Sequence, residues 1–232
     1  MHSSQVMSDH FQKITPLEIV DWGCTEYAEA LSRQQHIVTD RIKGAVGDRF
    51  ILTEHNAVYT LGRRKGARKH LLWDANTIKN AGIALHQSNR GGDITYHGPG
   101  QIVAYPILSL RPRKDLHAYL RDLEEVVIRT LKHYDIKATR RDGLTGVWVE
   151  TRKICAFGVA VKSWVTYHGL ALNIDPDLSH FSGILACGIT DGTVTSMAAE
   201  MGSRIDGDLV KSRLAVEFQN VFRDILNANG YR

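Results

Sequence analysis

Residues 146–174 hold three apolar runs with almost nothing between them: GVWVE (146–150), KICAFGVAV (153–161) and WVTYHGLALNI (164–174). Thr151-Arg152 parts the first two, and Lys162-Ser163 parts the second two. Connections this short join antiparallel strands. A parallel neighbour would need a crossover of a dozen or more residues. The three runs must therefore lie side by side as a meander in one sheet.

Further strand signals surround this meander. RFILTEHNAVYTLG (49–62) breaks at His55-Asn56 and reads as two short strands. IALHQSN (83–89) and QIVAYPILSL (101–110) flank the glycine-rich stretch RGGDITYHGPGQ (90–101), in which DITYH reads as another short strand. Helical spacing is clearest over 115–136, where Leu116, Tyr119, Leu120, Leu123, Val127, Leu131 and Tyr134 share one face, with Asp115 as N-cap. A second helix is expected over 213–229 through Leu214, Phe218, Val221, Phe222 and Ile225. A weaker one is expected over about 25–40 through Ala28, Leu31 and Val38, and a short one over 72–81 before Gly82. Strands come in runs and helices do not alternate with them, which is an α+β pattern. No Pro/Gly/Ser linker divides the 232 residues, so one domain over 1–232 is expected, with about 1–14 a flexible N-terminal arm leading to a first strand.

Composition removes several classes of function. The longest apolar runs fall well short of the ~20 residues of a spanning helix, and the first twenty residues do not form a secretory signal, so a cytoplasmic protein is expected, with no membrane partner. Three cysteines (Cys24, Cys155, Cys187) make an odd count with no zinc spacing, which points to thiol chemistry rather than bridges or metal. Net charge is a mild +4, and the basic residues gather in GRRKGARKH (62–70). Such a cluster is either a solvated loop or a surface for nucleic acid, phosphate or an acidic protein.

The glycine-rich stretch has neither the Walker nor the dinucleotide order of glycines. Gly91 and Gly92 permit close backbone approach or φ > 0, and Gly98-Pro99-Gly100 is a turn. Cys155 sits within an apolar strand and reads as a small core residue, whereas Cys187, in GILACGIT (183–190), is flanked by glycines and reads as an accessible thiol. A thiol needs a basic neighbour to become a thiolate. Three candidates present themselves. Lys153 opens an apolar strand, and His97 and His168 share the pattern Thr-Tyr-His-Gly. From charge alone Lys153 reads as a solvated strand-end lysine. The residues point to a cysteine nucleophile in acyl transfer, with a lysine or a histidine as base, and spacing does not choose between them.

RGGDITYHGPGQIVAYPI, GVWVETRKICAFGVAV, WVTYHGLALNI, ACGI and VTSM occur here in the order that marks lipoyl(octanoyl) transferases, and the chain resembles that family over roughly 17–200. The resemblance implies an α+β fold of the biotin/lipoate protein ligase kind, with a larger mixed sheet, a smaller sheet and flanking helices. It implies movement of an octanoyl group from octanoyl-acyl carrier protein to a lysine of a lipoyl domain, without cofactor or metal. The acceptors implied are the E2 subunits of 2-oxoacid dehydrogenases and the glycine-cleavage H protein.

By the same resemblance Cys187 carries the acyl thioester and Lys153 is its acid/base partner. Substrate-binding segments fall on Arg90, Gly91, Gly92, Asp93, Ile94, Thr95, Tyr96 and His97, on Ala156, Phe157 and Gly158, and on Gly169, Leu170 and Ala171. Ala186 stands where the family commonly has proline. Oxyanion donors are expected from the backbone at Cys187 or Gly188 and from the Gly169 segment. The competing expectations are an ATP-dependent lipoate–protein ligase, which has no need of Cys187, a Cys-His thioester hydrolase, and a nucleic-acid or regulatory binding module using the basic loop.

Overall fold

The computed structural model describes residues 17–185 and 193–230. The N-terminal arm, and Ala186, Cys187 and Gly188, lie outside the described residues. The elements run in the order β1 (Glu18–Cys24), α1 (Tyr27–Lys43), β2 (Arg49–Glu54), β3 (Val58–Leu61), α2 (Ala75–Asn80), β4 (Ala84–Gln87), β5 (Ile94–His97) and β6 (Gln101–Ile107). They continue with α3 (Leu116–Lys132), β7 (Thr139–Arg141), β8 (Leu144–Val149), β9 (Arg152–Lys162), β10 (Val165–Asn173), α4 (Met197–Met201), α5 (Gly207–Val221) and α6 (Arg223–Ala228). Short 3-10 turns occupy Ala67–His70 and Leu178–Gly183.

The larger sheet has the order β1-β2-β6-β10-β9-β8-β7. Its β1–β2 pair is parallel and the others antiparallel, so it is mixed. The meander takes its expected place, β8 beside β9 beside β10. Both of its turns sit one residue away from the sequence reading. Val149 pairs with Arg152 around Glu150-Thr151, and Lys162 pairs with Val165 around Ser163-Trp164. Ser163 and Trp164 both hold φ > 0 (50° and 63°), the geometry that lets a two-residue hairpin follow the twist of its strands.

The smaller sheet has the order β4-β3-β5. The break at His55-Asn56 is the point where the chain leaves one sheet for the other, since β2 belongs to the larger and β3 to the smaller.

Alternation within the strands decides which helix covers which face. Phe50 and Leu52 of β2, with Ile102 and Ala104 of β6, face a cluster built with α3, α5 and α6, in which Phe50 stacks on Phe218 at 4.2 Å. Ile51, Val103, Tyr105 and Ile107 face the other way, onto Ala30 and Val38 of α1. The inner face of α1 is Tyr27, Ala30, Gln34 and Val38. Ala28 is exposed and Leu31 only half-buried, so the expected stripe is corrected by a partial turn toward Tyr27, whose hydroxyl donates to the Ser88 hydroxyl at 2.7 Å. α3 is as expected, and Asp115 accepts from the Ala118 N–H as its cap. The C-terminal helix begins earlier than its apolar spacing indicates, at Gly207 capped by Asp206, and it is interrupted at Phe222. Tyr59, Leu61, Ile78, Ile83, Ile94 and Tyr96 form a separate small core under the three-stranded sheet.

Candidate active site

The β9–β10 register brings two of the three expected binding segments into contact. Gly158 lies opposite Gly169, Phe157 opposite Leu170, and Ala156 opposite Ala171. The third segment, the glycine-rich stretch, crosses over them. Gly91 donates from its N–H to the Val159 carbonyl at 2.8 Å. Glycine at 169 is a packing requirement, since a Cβ there would fall 2.1 Å from the Ala104 carbonyl oxygen of the adjoining strand.

Between the two sheets these segments line a cavity of about 470 Å³, counting its open mouth. Arg90, Asp93, Ile94, Thr95, His97, Ala156, Phe157, Gly158, Gly169, Leu170 and Ala171 all line it. Gly91, Gly92 and Tyr96 do not. The two glycines form backbone behind the wall. Tyr96 turns away into the small core, its hydroxyl 2.8 Å from His180 Nδ1. Tyr27, Val103, Tyr105 and His168 complete the lining. Of these only His168 carried a sequence signal, through its repeated Thr-Tyr-His-Gly context, because Val103 and Tyr105 read as ordinary core of a strand.

Among the described residues the charged groups lining this cavity are Arg90 and Asp93. Arg90 is 6% exposed and donates to the Thr60 carbonyl at 2.7 Å and to the Thr60 hydroxyl. Burial, reinforced by Arg90, lowers His168 to about 3. Burial, then His55 and Arg90, holds His97 well below the ordinary imidazole value. Their ring nitrogens are already engaged: His168 Nε2 lies 2.7 Å from Asn89 Oδ1, and His97 Nδ1 lies 2.7 Å from Gln101 Oε1. Histidines depressed this far are neutral and poor proton acceptors at pH 7, which weighs against either as the base of a Cys-His hydrolase. Burial also raises Tyr27 and Tyr105, so the phenols stay neutral.

Asp93 is 1% exposed, and its carboxylate sits 2.7 Å from His70 Nδ1 and 3.2 Å from Arg64 Nη1. Two members of the basic loop are thus partners of a buried carboxylate, which such a carboxylate requires. Arg63, Lys65, Arg68 and Lys69 remain exposed.

A second chamber of about 330 Å³ shares Thr95, Ala156 and Ala171 with the first and is closed by Lys153, Cys155, Gln101, Asn173, Phe181 and Val194. Lys153 is 5% exposed, so it is no solvated strand-end lysine. Cys155 is 1% exposed, and burial pushes its thiol well above the usual range, which suits a core residue and not a nucleophile. The chain on either side of the segment containing Cys187 is pinned. Before it, Leu185 N–H donates to the His70 carbonyl at 2.8 Å. After it, Lys153 N–H donates to the Thr193 carbonyl at 2.8 Å, and Thr195 N–H to the Lys153 carbonyl at 2.9 Å. Gln101 and Asn173, which the sequence did not single out, link these parts. Gln101 Nε2 donates to Asn173 Oδ1 at 2.8 Å, and Asn173 Nδ2 to the Thr195 carbonyl at 2.9 Å.

Among the described residues no group of three or more His, Cys, Asp or Glu is placed to hold a metal ion, and no helix is long and apolar enough to cross a membrane.

Comparison with known proteins places this architecture. Residues 26–219 match the family profile "Lipoyl protein ligase A/B catalytic domain". An octanoyltransferase of Solibacter usitatus is 48% identical over 201 residues, covering 86% of this chain and 90% of the relative. An octanoyltransferase of Cytophaga hutchinsonii is 42% identical over 224 residues, covering 88% and 91%. A crystal structure of lipoate-protein ligase A bound with ATP superposes with a TM-score of 0.75 at 16% identity, over 90% of this chain and 86% of that one, a likeness of fold. The larger mixed sheet, the smaller sheet and their flanking helices are thus those of the lipoate ligase fold, and the chain belongs to the lipoyl protein ligase A/B catalytic-domain family, among its octanoyltransferases.

Proposed function

We propose that the chain, working as one catalytic domain in the cytoplasm, takes an octanoyl group from octanoyl-acyl carrier protein onto Cys187 and passes it to the lysine of a lipoyl domain. The acceptors are the lipoyl domains of 2-oxoacid dehydrogenase E2 subunits and the glycine-cleavage H protein. The observation that carries this reading is the position of Lys153. It is buried in the lining of a chamber that shares Thr95, Ala156 and Ala171 with the apolar cavity, and its backbone holds the chain six residues beyond Cys187.

The steps follow from that placement. Lys153, as a neutral amine, takes the Cys187 thiol proton, and the resulting ammonium favours the thiolate beside it. The thiolate attacks the donor carbonyl carbon. The pantetheine sulfur leaves with the proton returned by Lys153, and an octanoyl thioester remains on Cys187. The acceptor lysine must attack as a free amine, so its excess proton passes to Lys153 as base, an amide forms, and the Cys187 thiolate is released. The octanoyl tail occupies the cavity lined by Thr95, Phe157, Leu170 and Ala171, where each buried methylene contributes about 0.8 kcal/mol. Arg90, Gly91, Gly92 and Asp93 hold the wall in place, and Gly158 and Gly169 let backbone form its surface.

Intact-protein mass spectrometry after incubation with octanoyl-carrier protein tests the reading. A hydroxylamine-labile octanoyl adduct is expected, and it should vanish in Cys187→Ser. Transfer that needs ATP and survives Cys187→Ser would instead make the chain a ligase.

A further inference from the structure

A third depression shares no lining residue with the acyl cavity or the Lys153 chamber. It opens on the small sheet between Leu71–Trp73, α2 and the start of β4, and it spans about 1240 Å³. Ile78 and Ile83 form its buried floor, and Leu71, Trp73 and the part-exposed Leu85 its sides. β4 is the edge strand of its sheet.

Among the described residues the charged groups on this groove are Arg68 and Lys79, both exposed, and no carboxylate lines it. Asp74, between the lining residues Trp73 and Ala75 in the chain, caps α2 by accepting from the Thr77 N–H. Arg63, Lys65 and Lys69 add exposed cations on the loop leading in. An apolar floor with a positive rim fits an acidic surface that presents an apolar stripe, as an amphipathic helix does.

The groove is also joined to the active site. Trp73, one of its sides, packs against Gly183, where a Cβ would fall 2.7 Å from the indole. Leu72 N–H donates to the Gly183 carbonyl at 2.8 Å, and Leu71 bridges to Ile184. Cys187 follows three residues after Ile184 in the chain.

We propose that this groove docks the acidic carrier protein that delivers the octanoyl thioester, an inference that rests on the donor assigned above. The carrier holds its acyl group on a long, flexible prosthetic arm, so its body can seat at a distance from the nucleophile. An acceptor lysine has only its own side chain to extend, so a lipoyl domain must dock at the mouth of the Lys153 chamber itself. The groove shares no lining residue with that chamber, which suits the first partner.

The test uses the full chain with Arg68→Glu and Lys79→Glu combined, and separately Leu85→Asp. KM is measured for octanoyl-carrier protein, for octanoyl-pantetheine and for the lipoyl domain. Each variant is expected to raise KM for the carrier-bound donor at least tenfold at low ionic strength and to leave the other two unchanged. Unchanged turnover of octanoyl-pantetheine also shows that the variants fold. Wild-type KM for the carrier should rise with salt. A carrier KM indifferent to both variants overturns the docking surface alone, as does an equal rise for both donors. A rise confined to the lipoyl domain overturns it by giving the groove to the acceptor. A wild-type enzyme that uses octanoyl-pantetheine but never the carrier-bound donor overturns the donor assignment, and the docking surface with it.

Discussion

Lys153 holds its side-chain nitrogen 4.8 Å from the centre of the Trp148 ring, its cross-strand neighbour on β8. Trp148 is fully buried and Lys153 nearly so. The ring face attracts the ammonium, while burial disfavours it. Opposed influences on one amine suit the acid/base role proposed for it.

Lys153→Met should lower kcat/KM for octanoyl transfer by about 10²–10⁴, the usual worth of a positioned acid/base group. Lys153→Arg should fare little better, because a guanidinium keeps its proton and presents a planar fork to a chamber shaped for an ammonium. Lys153→Met should also slow alkylation of Cys187 by iodoacetamide at pH 7, whereas the arginine variant keeps a cation that favours the thiolate. Near-normal transfer by the arginine variant would remove Lys153 from proton transfer.

The buried histidines set the acid stability of the fold. His168 titrates at about 3, and His55 and His97 are also lowered, all chiefly by burial. Unfolded histidine titrates near 6.5, so between that value and the folded one the unfolded chain binds more protons and stability rises with pH. Stability is therefore complete above about pH 6.5 and is lost as pH falls from there toward 3. Each histidine adds a slope approaching ~1.4 kcal/mol per pH unit inside its window. Thermal melts from pH 7 to pH 4 should show a falling Tm, and His168→Gln should flatten that fall. An unchanged slope would mean that His168 takes up its proton without unfolding.

Asn173 joins the floor of the acyl cavity to the chain that follows Cys187, through Gln101 and His97 on one side and the Thr195 carbonyl on the other. Asn173→Leu leaves two buried polar groups unmatched, at about 1–3 kcal/mol each. Melting should drop by several degrees, and kcat should fall more than donor KM rises. Adding Gln101→Leu also takes away the partner of His97 Nδ1, 2.7 Å from Gln101 Oε1, so it should recover neither the Tm nor the kcat. Recovery of both would reduce the chain of amides to a packing role.

The larger sheet was legible because two-residue connections leave the meander no other arrangement. The smaller sheet was implied by the resemblance, but its strand pairing was not legible, because β3 pairs with β4 across more than twenty residues of intervening chain. The one-residue shift of the Lys162–Val165 turn was hidden for a local reason. Ser163 and Trp164 hold positive φ without the glycine or asparagine that announces such a turn. The site divides the same way. Segments 156–158 and 169–171 were placed by motif, whereas Tyr27 reaches the cavity only because α1 starts where it does. Lys153 looked like a solvated lysine because charge says nothing of the chamber that Asn173, Gln101 and Phe181 build around it.

Gly158 and Gly169 face one another in the register yet answer to different neighbours. At Gly169 a Cβ would strike the Ala104 carbonyl oxygen at 2.1 Å, and backbone in the middle of a sheet cannot retreat. Gly169→Ala should therefore destabilise the fold itself, by a few kcal/mol as overpacking does. At Gly158 the nearest atoms are Arg90 Cδ at 2.9 Å and the Gly91 carbonyl oxygen at 3.0 Å, less severe approaches than at Gly169, and the added methyl enters the wall of the cavity. Gly158→Ala should lower Tm less than Gly169→Ala does and raise KM for octanoyl donors, with a smaller penalty for hexanoyl ones. Measuring kcat/KM for both acyl lengths decides the matter. A penalty equal for the two would mean that the tail does not run past Gly158.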